Sequence, residues 1–307
     1  MIFRKRKDVS LLPHTRTEVY GFNPNAAQVF GWEILKLGVN ANWAKSEGED
    51  VIVSVIDTGC DLNHKDIRNN LLPGKNFISK GSDPNDDNGH GSHVCGTIAA
   101  ENNGLGMVGV APKTKIMPVK ALDKNGQGNL KDIIDAIYWS ADNKADFITM
   151  SLGAPTDSRS LKQAIDYANV KGSVVFAAAG NSGKEVEIMY PARYNNTLAI
   201  GAIDENFHRT SFTCSGNDLD FLAPGHNIFS LAPKNGYAIM SGTSMSNPYA
   251  VGCACLLLSY DKKYKTFNFN RNYRRYISVM SEMTISISQE QYKSKRYQGY
   301  GIIKIKI

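Results

Sequence analysis

Five short apolar runs, separated by segments with helical spacing, restrict this chain to a small set of folds. Residues 51–56 read Val51-Ile52-Val53-Ser54-Val55-Ile56, and 116–121, 147–152, 174–179 and 198–203 are similar runs of strand length. Near-continuous apolar runs of this kind suit strands covered on both faces. In 130–143, Ile133, Ile134, Ile137 and Tyr138 recur at helical spacing, and in 160–170 Leu161, Ala164, Ile165 and Ala168 do the same. Residues 90–100 and 244–259 also read as helices. Strands alternating with helices predict an α/β fold: a doubly wound, mostly parallel sheet with helices on both faces and right-handed crossovers. Past residue 266 the pattern weakens; 271–283 is read as a helix and 300–307 as a closing strand. There is no internal repeat.

With 307 residues, 42% hydrophobic and 21% charged, the chain has the composition of an ordinary globular protein and a length that suits a single domain. The net charge of +6 is mild and partly carried by Arg4-Lys5-Arg6-Lys7 and the 262–296 stretch, read as solvated faces or tails. No nucleic-acid motif accompanies them. Met1-Ile2-Phe3 leads into basic residues with no apolar segment, so no signal peptide is expected, and no run reaches transmembrane length. The five cysteines, Cys60, Cys95, Cys214, Cys253 and Cys255, are odd in number and suggest no disulfide framework. A reducing, cytoplasmic setting is the expectation.

Three motifs carry chemistry. Gly242-Thr243-Ser244-Met245-Ser246-Asn247-Pro248 precedes an apolar helix, so Ser244 stands where free N–H groups and the helix dipole can stabilise an oxyanion. Taken alone it is equally a helix cap. The 51–56 strand ends in Asp57-Thr58-Gly59, which places a carboxylate at a strand's carboxyl end, where α/β sheets gather functional groups; a turn aspartate is the plain alternative. Asn88-Gly89-His90-Gly91-Ser92-His93 opens a helix with two histidines on roughly one face. A zinc pair is disfavoured, since neither HExxH nor a CxxC partner is present.

Asp57, His90 and Ser244, in that order, resemble the triad of the subtilisin-like serine proteases, and the character of the chain is most similar to the intracellular subtilisins. The likeness runs from about residue 51 to 259. It implies that Ser244 is the nucleophile, His90 the general base and acid, and Asp57 the group that holds the imidazole. Asn181, in Ala178-Ala179-Gly180-Asn181, is implied as the side-chain oxyanion donor. Gly126 and Gly128, with Ser151, Leu152 and Gly153, match the segments between which a substrate lies as an added strand. Ala178, Ala179 and Gly180 would wall the pocket, and Met189 would stand at its floor, favouring medium apolar side chains over large aromatics.

The resemblance also implies structural Ca²⁺, held by Asp66, the Asn103 side chain and the carbonyls of Glu101, Leu105 and Met107, with Gln28 a further ligand. An ion-free glycine-rich loop is the alternative. Leu11-Leu12-Pro13-His14 is similar to the short element that lies across the active site of intracellular subtilisins, so residues 1–25 are read as an extension and 26–307 as the peptidase domain. A disordered basic tail is the alternative. Expected partners are protein or peptide substrates, the chain's own N-terminal segment and a second copy in a homodimer, with no nucleic acid and no membrane. Departures include Tyr249, where the family commonly has histidine, and Cys95, Cys253 and Cys255 in place of alanines. A catalytically weak peptide-binding relative is one rival; an esterase is another, though the Gly-x-Ser-x-Gly elbow is absent.

Overall fold

A computed structural model describes residues 9–19 and 27–307. The basic run at residues 4–7 and the expected boundary at residue 25 lie outside the described residues. Strands β1 (Val9–Leu11) and β2 (Thr15–Glu18) precede α1 (Trp32–Leu37) and β3 (Ile52–Asp57). Then follow β4 (Lys75–Asn76), α2 (His90–Ala99), β5 (Lys115–Lys120), β6 (Gln127–Gly128) and α3 (Leu130–Asp142). After these come β7 (Phe147–Met150), β8 (Leu152–Gly153), α4 (Arg159–Lys171), β9 (Val174–Ala178) and β10 (Leu198–Ile203). The chain continues through β11 (Phe221–Pro224), β12 (Ile228–Ala232), β13 (Gly236–Ser241) and the long α5 (Thr243–Tyr264). It ends with α6 (Tyr273–Ser281), β14 (Thr284–Ile285), α7 (Lys295–Gln298) and β15 (Ile302–Ile303).

The main sheet runs β14-β15-β11-β10-β9-β7-β3-β5-β4 and is parallel except for the β14–β15 pair. The pleat divides its buried side chains between two cores, as a sheet covered on both faces requires. Val53 and Val55 of β3 join Val94 and Ile98 of α2 and Leu256 and Leu257 of α5 in one core. Ile56 of β3 joins Ile133 and Ile137 of α3 and Leu161 and Ile165 of α4 in the other. The doubly wound reading therefore holds.

Several boundaries differ from the sequence reading; α5, for one, runs to Tyr264 and not to 259. Residues 147–152 are not one strand: β7 stops at Met150, and β8 leaves the main sheet to pair with β1. The Asn272 side chain caps α6 by accepting from the Arg274 N–H, so the helix is shorter than 271–283. Of 300–307 only Ile302–Ile303 is strand, because it pairs just at its centre with Leu222 and Ile285.

Candidate active site

The carboxyl edge of the parallel strands gathers the motifs. Asp57 ends β3, His90 opens α2, and Ser244 is the second residue of α5, whose first turn leaves N–H groups free. His90 Nδ1 lies 2.8 Å and 3.0 Å from the two Asp57 carboxylate oxygens, and both residues are fully buried. The Thr58 N–H also donates to Asp57 Oδ1 at 2.7 Å. With Nδ1–H committed to the carboxylate, Nε2 keeps its lone pair. That nitrogen is buried and, among the described residues, has no hydrogen-bond partner.

The Ser244 hydroxyl instead donates to the Ser151 carbonyl at 3.2 Å, and the Ser151 hydroxyl donates back to the Ser244 carbonyl at 3.0 Å. The second bond follows from Pro248, four residues on, which lacks the N–H that would take that carbonyl inside the helix. The histidines of the second motif part company. His93 Nε2 meets the Ile228 carbonyl at 3.0 Å, and burial pushes its pKa down to about 3. His93 is a neutral packing residue bonded to β12, and among the described residues no group of three metal-ligating side chains forms.

Asn181 is held by its acceptor end. Its Oδ1 accepts from the Thr243 N–H at 2.9 Å and from the Thr243 hydroxyl at 2.8 Å. Thr243 Oγ1 in turn accepts from the Gly180 N–H at 3.2 Å. The amide is thereby oriented, and Nδ2 points into the cleft, where it donates to the Pro13 carbonyl at 2.7 Å. Sequence reasoning missed this role of Thr243; its place beside Ser244 was the available signal.

The cleft is occupied by the chain's own residues. β1 runs antiparallel between β6 and β8, in register Val9↔Gly128, Ser10↔Gly153 and Leu11↔Leu152. The Leu11 N–H donates to the Gly126 carbonyl at 2.8 Å. Gly126 has φ +70°, and a Cβ there would come within 2.6 Å of Leu11, so this position needs glycine. A Cβ on Gly153 would meet Leu12 Cδ2 at 2.8 Å and Met189 Cβ at 3.3 Å. Leu12 is only 2% exposed, and Val9 packs with Ile133 and Leu152. Ala178, Ala179 and Gly180 are buried beside this site, and Met189 reaches Gly180, as does Cys214, which sequence reasoning did not place here. The His14 ring sits 4.9 Å from that of His90, and its Nδ1–H donates to the Leu12 carbonyl at 2.9 Å. Burial, then repulsion from His90, lowers the His14 pKa. Beyond the cleft, β2 adds to β13 as an antiparallel strand.

A second cluster lies at the end of α2. Asp66 accepts from the Met107 N–H at 2.9 Å, the Tyr237 hydroxyl at 3.0 Å and Asn103 Nδ2 at 3.3 Å. Gln28 Nε2 donates to the carbonyls of Glu101 at 2.7 Å and Met107 at 3.0 Å. Leu105 enters through its N–H, which donates to Asn103 Oδ1 at 2.9 Å. The Glu101 carboxylate turns outward to Asn69, leaving only its carbonyl in the cluster.

A profile of the subtilase family matches residues 48–301. The chain belongs to the subtilase family. This subtilase is 40% identical to subtilisin DY of Bacillus licheniformis over 262 residues, 84% of this chain and 90% of that protein. It is 41% identical to an intracellular serine protease of Paenibacillus polymyxa, over 71% of this chain and 69% of that one. Subtilisin E of Bacillus subtilis is 44% identical over 69% of this chain, a span that covers 56% of subtilisin E. This subtilase is therefore a serine endopeptidase, hydrolysing peptide bonds through an Asp-His-Ser triad and an acyl-enzyme. Among the described residues no helix is long and apolar enough to cross a membrane.

Proposed function

We propose that Asp57, His90 and Ser244 carry the endopeptidase reaction, with Asn181 as oxyanion donor, and that residues 9–14 are an inhibitory pseudo-substrate. In the reaction, Ser244 Oγ attacks the scissile carbonyl carbon while His90 Nε2 takes the hydroxyl proton. Asp57 holds Nδ1–H and stabilises the imidazolium. The oxyanion accepts hydrogen bonds from Asn181 Nδ2 and from the Ser244 N–H at the start of α5. Collapse breaks the C–N bond, and His90 returns the proton to the leaving amine. Water then repeats the sequence on the ester and frees Ser244.

One observation carries the inhibitory reading. The pocket side chain is Leu12, yet the carbonyl on Asn181 belongs to Pro13. A cleavable peptide presents both from the same residue. The segment is thus one residue out of register: the carbonyl on the proposed oxyanion donor belongs to Pro13 and not to the pocket residue Leu12. A fluorophosphonate probe tests the proposal on full-length protein, on protein cut after folding at a foreign protease site inserted in 20–26, and on Ser244→Ala. Labelling is expected to be slow, fast and absent, respectively. Equal labelling of cut and uncut protein removes the inhibitory role.

In the pocket, Met189 beside Gly153 and Gly180 favours medium apolar residues before the cleaved bond. Equal or faster cleavage after Phe than after Leu in matched peptides rejects this.

The cluster around Asp66 suits Ca²⁺: one carboxylate, two side-chain amides and main-chain carbonyls, all hard oxygen donors once the Gln28 and Asn103 amides turn their oxygens inward. Asp66, Asn103, Gln28 and the carbonyls of Glu101, Leu105 and Met107 would hold the ion, which ties the loop after α2 to the chain preceding α1. Five cysteines, all buried and unpaired, favour a reducing, cytoplasmic setting.

A further inference from the structure

We propose that Cys214 is a positioning residue for the oxyanion donor: its sulfur and its own N–H fix the backbone on either side of Asn181, and Arg209 fixes Cys214 in turn. The inference rests on reading Asn181 as that donor. Thr243 holds the side-chain oxygen of Asn181. That contact orients the amide but does not by itself place the backbone that carries it. An amide turned correctly on a displaced backbone still misses its target, and a site that works by preorganisation is sensitive to such errors.

The backbone is settled by the 212–214 segment. The Cys214 N–H donates to the Gly180 carbonyl at 3.0 Å, and the Gly183 N–H donates to the Phe212 carbonyl at 2.7 Å. Between these two bonds the Ser182 N–H donates to Cys214 Sγ at 3.4 Å. Asn181 thus has a neighbour tied to Cys214 on each side, Gly180 through its carbonyl and Ser182 through its N–H. Gly180 has φ +116°, and a Cβ there would come within 2.8 Å of the sulfur and 3.1 Å of Met189 Cγ. The turn therefore lies directly on the thiol, an approach that needs glycine. Cys214 is buried and free of any disulfide, and burial raises its pKa, so a neutral thiol meets the Ser182 N–H as a weak acceptor.

Arg209 makes that segment a firm base. Its side chain is buried, and the Thr213 carbonyl, the Cys214 carbonyl and the Ser215 hydroxyl are ranged around Nη2 at 2.6, 3.1 and 2.7 Å. Its Nε–H donates to the Tyr297 carbonyl at 3.0 Å. The guanidinium also lies 5.7 Å and 5.6 Å from the ring centres of Tyr292 and Tyr297. A planar fork with several donors fixes neighbouring carbonyls at one geometry, which a lysine cannot do. The base under Asn181 is therefore anchored to the C-terminal part of the chain, on the side opposite the Thr243 clamp in sequence.

The test uses full-length protein that has folded and then been cut in 20–26, with steady-state kinetics on one peptide amide. Cys214→Ala removes the sulfur and keeps the main-chain bond to Gly180. It should lower kcat about 5-fold, the worth of one hydrogen bond, with KM changed less than about twofold. Cys214→Ser keeps an acceptor and should recover most of that loss. In an Asn181→Ala background, Cys214→Ala should lower kcat no further, because no donor is left to misplace. The same loss in both backgrounds, or a change confined to KM, overturns the proposal and makes Cys214 a wall of the pocket. A serine variant no better than alanine overturns the role of the Ser182 bond. Asn181→Ala alone judges the donor separately: an unchanged kcat there rejects Asn181 as the donor, and this inference with it.

Discussion

Asn181 Nδ2 donates to the Pro13 carbonyl at 2.7 Å, although the side chain packed against Gly153 and Met189 is that of Leu12. The donor proposed to stabilise an oxyanion thus holds a proline carbonyl one residue beyond the pocket residue. Deleting Pro13 should bring the Leu12 carbonyl onto Asn181 and make the segment a substrate. Freshly folded protein is then expected to cut itself, leaving His14 as its new N-terminus by mass spectrometry, and a Ser244→Ala background should block the cut. A Pro13-deleted chain that stays intact in active protein contradicts the register argument.

Asn181→Ala in the cut enzyme should lower kcat by about 10²–10³ with little change in KM, the loss that removal of the corresponding donor causes in subtilisin itself. Thr243→Val removes the hydroxyl that orients Asn181 Oδ1, so it should give a smaller loss, again in kcat. Steady-state kinetics on one peptide separates the two parameters. A change confined to KM would place Asn181 in ground-state binding instead.

His14 should make inhibition pH-dependent. Its pKa when seated lies below 6.5 because burial, then His90, disfavours the charged form. Seating therefore favours neutral His14: it is fully stabilised above pH 6.5 and weakens, up to about tenfold per unit, as pH falls through that value. Amide exchange at Leu11 and Val19, corrected for intrinsic rates, should rise between pH 7.5 and 5.5, and His14→Gln should flatten the change. An unchanged slope in the variant would show that His14 is not responsible.

Glu33 stores a different pH effect. Its carboxylate is 2% exposed, Oε2 has no hydrogen-bond partner among the described residues, and burial pushes its pKa from 4.5 up to about 7. A raised carboxyl pKa favours the protonated folded state, so stability falls as pH rises from 4.5 towards 7 and the cost persists above it. Glu33→Gln should raise the unfolding free energy at pH 8 by up to about 3 kcal/mol and change it little at pH 4.5. Urea melts in the Ser244→Ala background avoid self-digestion. Equal gains at both pH values would assign the effect to packing.

Chelation should lower the Tm by about 4 °C relative to Ca²⁺ at a hundredfold excess over Kd, the shift that about 2.7 kcal/mol of binding linkage gives in a chain of this size. Asp66→Asn should remove the Ca²⁺ dependence and resemble the chelated protein. A Tm indifferent to chelation eliminates the ion.

The alternation of apolar strands with amphipathic helices was legible because burial on both faces of a sheet and on one face of a helix imposes periods that survive in the sequence. Asp57, His90 and Ser244 were legible because each ends or begins such an element. The break at Ser151, which sends Leu152–Gly153 to another sheet, was not, since the apolar run continues unbroken through it. Nor were the Thr243 clamp on Asn181 and the β2–β13 pairing, which join residues 62 and more than 200 positions apart.

Local sequence determined the layers of this protein and which side chains stand at the carboxyl edge of its sheet, because propensity and periodicity act over a few turns. Only the tertiary structure decided how those groups face one another. The Nδ1–H bond to Asp57 leaves Nε2 of His90 free, Pro248 ties Ser244 to Ser151, and residues 9–19 find both a cleft and a strand edge to complete. Hydrogen bonds between distant segments have no period, and are settled only when the packed sheet brings their donors and acceptors within reach.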